Sequence, residues 1–105
     1  MAFTGNEDHS ITLEDAVQLT ANYRKNAGEK AIKGGFFGKT VLKNIINQKG
    51  CVGIKFYYGQ NSDGKPCLVL VGADAADNDM TSGLLAERQL PCPPYCGENN
   101  VLNKD

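Results

Sequence analysis

One histidine, no long apolar run and no block of like charge appear in this chain, and each absence removes a class of function. A Ser–His or Cys–His catalytic device would have to draw on His9. That residue lies in MAFTGNEDHS, a segment poor in apolar side chains, and reads as a solvated residue beside a helix start. No stretch approaches the ~20 apolar residues of a membrane span. The N-terminus has neither a basic nor an apolar leader region, so a cytoplasmic address is expected, with its four cysteines reduced. Net charge is −1, and Lys25, Lys30, Lys33, Lys39 and Lys43 are dispersed. Phosphate-tracking proteins concentrate positive charge, so nucleic acid is not an expected partner.

What is present is organised around CVGIKFYYGQNSDGKPCLVLVGA, residues 51–73. Val52, Ile54, Phe56 and Tyr58 alternate with Gly53, Lys55 and Tyr57, the period of a half-buried strand. Residues 66–73 are a denser run of Leu and Val, as in a strand covered on both faces. The turn-forming GQNSDGK between them predicts a hairpin, with Phe56 opposite Leu68 and Ile54 opposite Leu70. Upstream, Thr12 is the expected N-cap of a helix closed by Gly28, with Leu13, Ala16, Val17, Thr20, Tyr23 and Ala27 on one stripe. A second helix over 40–49 presents Val41, Leu42, Ile45 and Ile46, and Gly50 closes it. The 105 residues predict a single α+β domain: two amphipathic helices on one face of a small antiparallel sheet built on the hairpin. Residues 1–10 are expected to be a loose arm. Residues 84–90 are ambiguous between helix and a third strand, with strand preferred.

The other hairpin face, carrying Cys51, Lys55, Tyr57, Cys67, Val69, Val71 and Ala73, is too apolar to leave in water once the helices are placed. Either the C-terminal segment covers it or a second copy does, through this face or the strand edge. Tyr57, Val69 and Val71 are therefore candidate ligand or interface residues, with Tyr95 from the tail.

Two motif readings fail on their spacing. GGFFGKT lacks the first glycine of a phosphate-binding loop, since position 33 is Lys, and no strand feeds it. Its glycines read as a bend, with Phe36 and Phe37 anchoring the loop in the core. Asp74, Asp77 and Asp79 lack the calcium-loop pattern and read as a solvated acidic turn.

The tail PCPPYCGENNVLN, residues 91–103, brackets Pro-Pro-Tyr between Cys92 and Cys96. The pair could close a small disulfide, or give zinc two ligands beside Cys51 and Cys67. The reading preferred is a pair of inert thiols in a proline-braced tail packed on the sheet. One residue too many separates it from a glutaredoxin-type CPYC motif.

Taken together, LTANYRKN, FGKTVLKNIINQKGCVGIKFYYG, LVLVGADAADNDM and LAERQLPCPPYCGENNVLN resemble a family of small bacterial proteins of Bacteroidetes type with no assigned function. The resemblance implies a self-contained bacterial domain and carries no site residue. Two readings follow from the residues. The first is a non-catalytic binding or assembly module that forms a homodimer and recognises a further protein partner, without cofactor. The second is a thiol-based protein, metal-binding (zinc) or redox-responsive, using Cys92 and Cys96.

Overall fold

A computed structural model describes residues 2–28 and 30–104. Its elements are α1 (Leu13–Ala27), β1 (Gly34–Phe36), α2 (Lys39–Ile46), β2 (Cys51–Gln60), β3 (Pro66–Asp74), β4 (Leu85–Ala86) and β5 (Leu90–Cys92). The α+β class holds, but the elements divide between two units, residues 2–7 with 37–89 and residues 8–36 with 90–104.

The first unit contains α2 and a three-stranded antiparallel sheet in the order β2-β3-β4. Its hairpin register differs from the expected one. Phe56 faces Leu70 and Ile54 faces Gly72. The loop explains the difference. The Asn61 amide donates to the Lys65 carbonyl at 2.9 Å, and its Oδ1 accepts from the amides of Asp63 and Lys65. Gly64, at φ 78°, supplies the left-handed residue this closure needs. Closing the ladder at Asn61 and Lys65 moves the pairing by two residues, which leaves every side chain on its predicted face.

A bulge between Cys51 and Gly53 breaks that parity at one end. Cys51 therefore sits on the Gly72 side rather than with Cys67. Central β3 carries Leu70, Val71 and Ala73 into the core, as its apolar run requires. Of the two helices expected to cover the sheet, α2 contacts β2 and β3, and its Ile45 is 0% exposed. Beyond α2, Gln48 fastens the helix end to the next loop: its Nε2 donates to the Ile45 carbonyl and its Oε1 accepts from the Leu84 amide. In the 84–90 segment, Leu85 and Ala86 pair with Val71 and Leu70 as a strand.

The arm is not loose throughout. The Phe3 amide donates to the Ala75 carbonyl, and the Glu7 carboxylate gathers the amides of Thr4 and Gly5.

The second unit contains α1 and the two-stranded ladder β1-β5. α1 begins where its cap predicts, with the Asp15 amide donating to Thr12 Oγ1, and ends at Gly28 with φ 92°. None of its residues is fully buried, because the stripe is made largely of small or half-exposed side chains. β1 replaces the expected bend: Gly34, Gly35 and Phe36 pair with Cys92, Pro91 and Leu90. Phe36 consequently lies on a strand surface, exposed, rather than anchoring a core.

Candidate functional site

Strand β2 concentrates the unusual chemistry of the first unit, and its alternation separates two sets of groups. Odd-numbered side chains are bound to their own unit. Lys55 Nζ lies 2.9 Å from Asp79 Oδ1 and donates to the Asp77 carbonyl at 2.8 Å. The Tyr57 hydroxyl donates to Asp79 Oδ2 at 2.6 Å. The ring of Phe3 lies 5.4 Å from the ammonium, within cation–π range.

The turn that delivers Asp79 is built locally. Asp74 Oδ1 accepts from the amides of Ala76 and Asn78, and Asp77 takes a left-handed conformation at φ 71°. Asp74, Asp77 and Asp79 thus belong to a hydrogen-bonded turn, not a solvated run.

The electrostatics of this clasp fix its protonation. The Tyr57 hydroxyl and then Lys55 hold the Asp79 carboxyl below its usual range. The same carboxylate, foremost through its hydrogen bonds, raises both the Lys55 ammonium and the Tyr57 phenol. A general base needs a proton acceptor poised near neutrality, and these shifts move each group away from it. The shifts favour the charged Lys55–Asp79 pair and the neutral Tyr57 phenol, the forms that hold the clasp together.

The clasp lies on the face expected to need a second copy. Val71, cross-strand partner of Lys55, is 2% exposed, and Val69, opposite Tyr57, is half-buried. On the same face lie the clasp and, over the Lys55 ammonium, the ring of Phe3, whose amide donates to the Ala75 carbonyl. Tyr57 keeps part of its ring in solvent but commits its hydroxyl.

Two even-numbered side chains of β2 are strongly exposed. Phe56 is 53% and Tyr58 84% exposed, their rings edge to face with centroids 5.7 Å apart. Among the described residues, the only strand beside β2 is β3, so its other edge is open. Neither Phe56 nor Tyr58 was singled out by pattern, because their alternation marks a face without telling which part of it α2 reaches.

The cysteines separate by environment. Cys92 and Cys96 are disulfide-bonded, which corrects the expectation of reduced thiols in the tail. Tyr95, between them, is exposed. The tail is also held by hydrogen bonds: the Lys33 amide donates to the Cys92 carbonyl, and Asn103 Nδ2 to the Cys96 carbonyl. Cys51 and Cys67 are free and lie towards opposite ends of the hairpin, paired with Asp74 and Gly59. Burial, then Glu87, pushes the Cys67 thiol up, which disfavours the reactive thiolate. Among the described residues, no group of three or more His, Cys, Asp or Glu side chains converges as metal ligands would.

A half-open cleft of 540 Å³ at the end of α1 is lined by Tyr23, Arg24, Lys25, Gly28 and Lys33. Arg24 and Lys33 donate to the carbonyls of Leu102 and Asn103, so these two cations hold the C-terminal segment. No helix is long and apolar enough to cross a membrane among the described residues. Comparison of the chain with protein-family models, with curated proteins and with solved structures finds no match.

Proposed function

We propose that this chain is a small non-catalytic assembly module that self-associates through the sheet of its first unit. The observation that carries the reading is a ten-residue strand, β2, at a sheet edge without the usual protection. Natural edges are kept short, interrupted by proline or bulges, or guarded by an outward lysine. β2 has no proline, and its bulge is confined to the Cys51 end. Its one lysine is drawn into the clasp with Asp79. The Phe56–Tyr58 pair adds an apolar surface along the same strand.

Size-exclusion chromatography with light scattering, run from low to high micromolar protein, tests this. A dimer mass at the upper end is expected; a monomer throughout overturns the reading.

The disulfide favours one further reading, a redox-responsive tail. Given a cytoplasmic address, the glutathione pool rather than a fixed oxidising compartment would set the state of Cys92–Cys96. Titration against a glutathione redox buffer, read by thiol labelling and mass, checks it. A pair that stays oxidised across the cytosolic range rules out the response. The double variant Cys92→Ser/Cys96→Ser separates the two proposals, since self-association is expected to survive it.

A further inference from the structure

The hydrogen-bond parity of β2 can be read from its closing pair. Asn61 donates to Lys65, directly opposite it, so residues 61, 59, 57 and 55 exchange their backbone bonds with β3. Ile54, Phe56, Tyr58 and Gln60 therefore turn their N–H and C=O groups to the open edge. On the far side of β3 the pattern agrees: Gly72, paired with Ile54, gives its carbonyl away from β2, to the Met80 amide.

Resting on the self-association reading above, we infer that β2 pairs antiparallel with β2 of a second copy, about a two-fold axis at Tyr57. Symmetry and the outward parity of β2 select this occupant and register. An antiparallel strand paired with itself is isologous, the symmetry of a closed dimer. With the axis at Tyr57, Ile54 meets Gln60 of the second copy and Phe56 meets its Tyr58. Each of the four outward residues in either strand then donates and accepts one bond, so all eight donors are used.

The side chains agree with that register. Phe56 beside Tyr58 across the axis extends the existing edge-to-face pair into a cross-strand aromatic cluster. Lys55 meets Gly59, whereas an axis at Lys55 would set two ammonium groups against each other. The axis also leaves Val52 outside the ladder. There the arm already approaches: a Cβ on Gly5 would stand 2.8 Å from the Val52 carbonyl oxygen. The product is a six-stranded sheet, β4-β3-β2 continued by β2-β3-β4 of the second copy.

A mixed sample of isotope-labelled and unlabelled wild-type chain tests this directly. Tyr57 occupies a pair without hydrogen bonds, where the Cα atoms approach to about 4.5 Å. An intermolecular Hα–Hα Overhauser contact at Tyr57 is the expected result. Over the same concentration series, amide exchange at 54, 56, 58 and 60 should slow by at least about tenfold, with 55, 57 and 59 protected throughout. Tyr57→Cys, in a Cys51→Ser/Cys67→Ser background, should oxidise to a covalent dimer, its Cα separation falling within the roughly 4.4–6.8 Å of a disulfide. Gln60→Cys, which faces Ile54, should not.

A dimer lacking the Tyr57 contact, with the exchange of the even amides unchanged, overturns the register while sparing self-association. A monomer whose even amides exchange freely at every concentration overturns both.

Discussion

Ile45 and Ile46 are the same residue on consecutive positions of α2, and truncating each to alanine isolates the value of burial. Ile45 is 0% exposed and Ile46 49%. Both substitutions change intrinsic helix propensity by the same amount, so the difference between them reports packing. Removing three methylene equivalents from a fully buried site costs about 2.4 kcal/mol in transfer free energy, at ~0.8 kcal/mol each. The residual cavity carries the total towards about 4 kcal/mol, since neighbours collapse only in part. Here the site is held by two strands and by Gln48, which donates to the Ile45 carbonyl, so collapse is restricted. Ile46→Ala is expected to cost at most about 1 kcal/mol, as for partly exposed positions. Urea unfolding followed by circular dichroism at low micromolar protein measures both. Against a domain stability of about 5–15 kcal/mol, Ile45→Ala should move the midpoint visibly while leaving the slope intact. Equal losses at the two positions would refute the assignment of α2's buried face.

Glu7 tests the ordering of the arm by pH. The amide of Thr4, the largest cause, holds its carboxyl down to about 2, with further help from Gly5. A folded pKa below the unfolded one means the contribution is present above about 4.5 and is lost as pH falls towards 2. A carboxyl carbon titration by NMR should place Glu7 near 2; a midpoint near 4.5 means the arm is free. Asp79 follows the same sign, its contribution disappearing on acidification, whereas that of Lys55 disappears only as pH rises above 10.5. At Gly83, an added Cβ would collide with Gln48 Oε1, the acceptor for the Leu84 amide. Gly83→Ala should destabilise by about 1–3 kcal/mol, and pairing it with Gln48→Ala in a double-mutant cycle should show coupling. Additive effects there would deny the clash. Reducing Cys92–Cys96 opens a loop with sequence separation 4, worth about 2 kcal/mol by chain entropy. Exchange of the β1 and β5 amides should quicken on reduction while that of β2 and β3 does not; uniform change would show that the tail bond supports the whole chain.

The helices and the hairpin were legible because their signals are local. Thr12 and Gly28 bracket α1 in sequence as in space, and the alternation of 52–58 assigns faces whatever the register. The two-residue difference in pairing escaped because it depends on how Asn61 uses its side-chain oxygen, and the strand pattern is blind to shifts by two. Which face stays open was not legible. The clasp brings together Phe3, Lys55 and Asp79, residues separated in sequence by tens of positions, and no period connects them. The pairing of Gly34 with Cys92 was hidden for the same reason: three residues of glycine and phenylalanine carry no strand signature of their own. The Cys92–Cys96 bond was among the options that spacing allowed, but spacing could not choose between thiol, metal and disulfide.

The β1-β5 ladder has a consequence for the order in which the chain can fold. Gly34 and Cys92 pair across 58 intervening steps of sequence, and Phe36 pairs with Leu90, so the segment 37–89 leaves and returns through adjacent residues. Closing so long a loop in an unstructured chain is entropically slow, and the short ladder repays little of that cost. The β2-β3 hairpin needs only the closure at Asn61 and Lys65. Once it and α2 have formed, the effective loop between Phe36 and Leu90 shrinks to the ends of an ordered body. The disulfide, closed within its own five residues, does nothing to shorten it. The hairpin is thus expected to precede the pairing of the terminal segments, and nascent chains ending before residue 90 should already contain it.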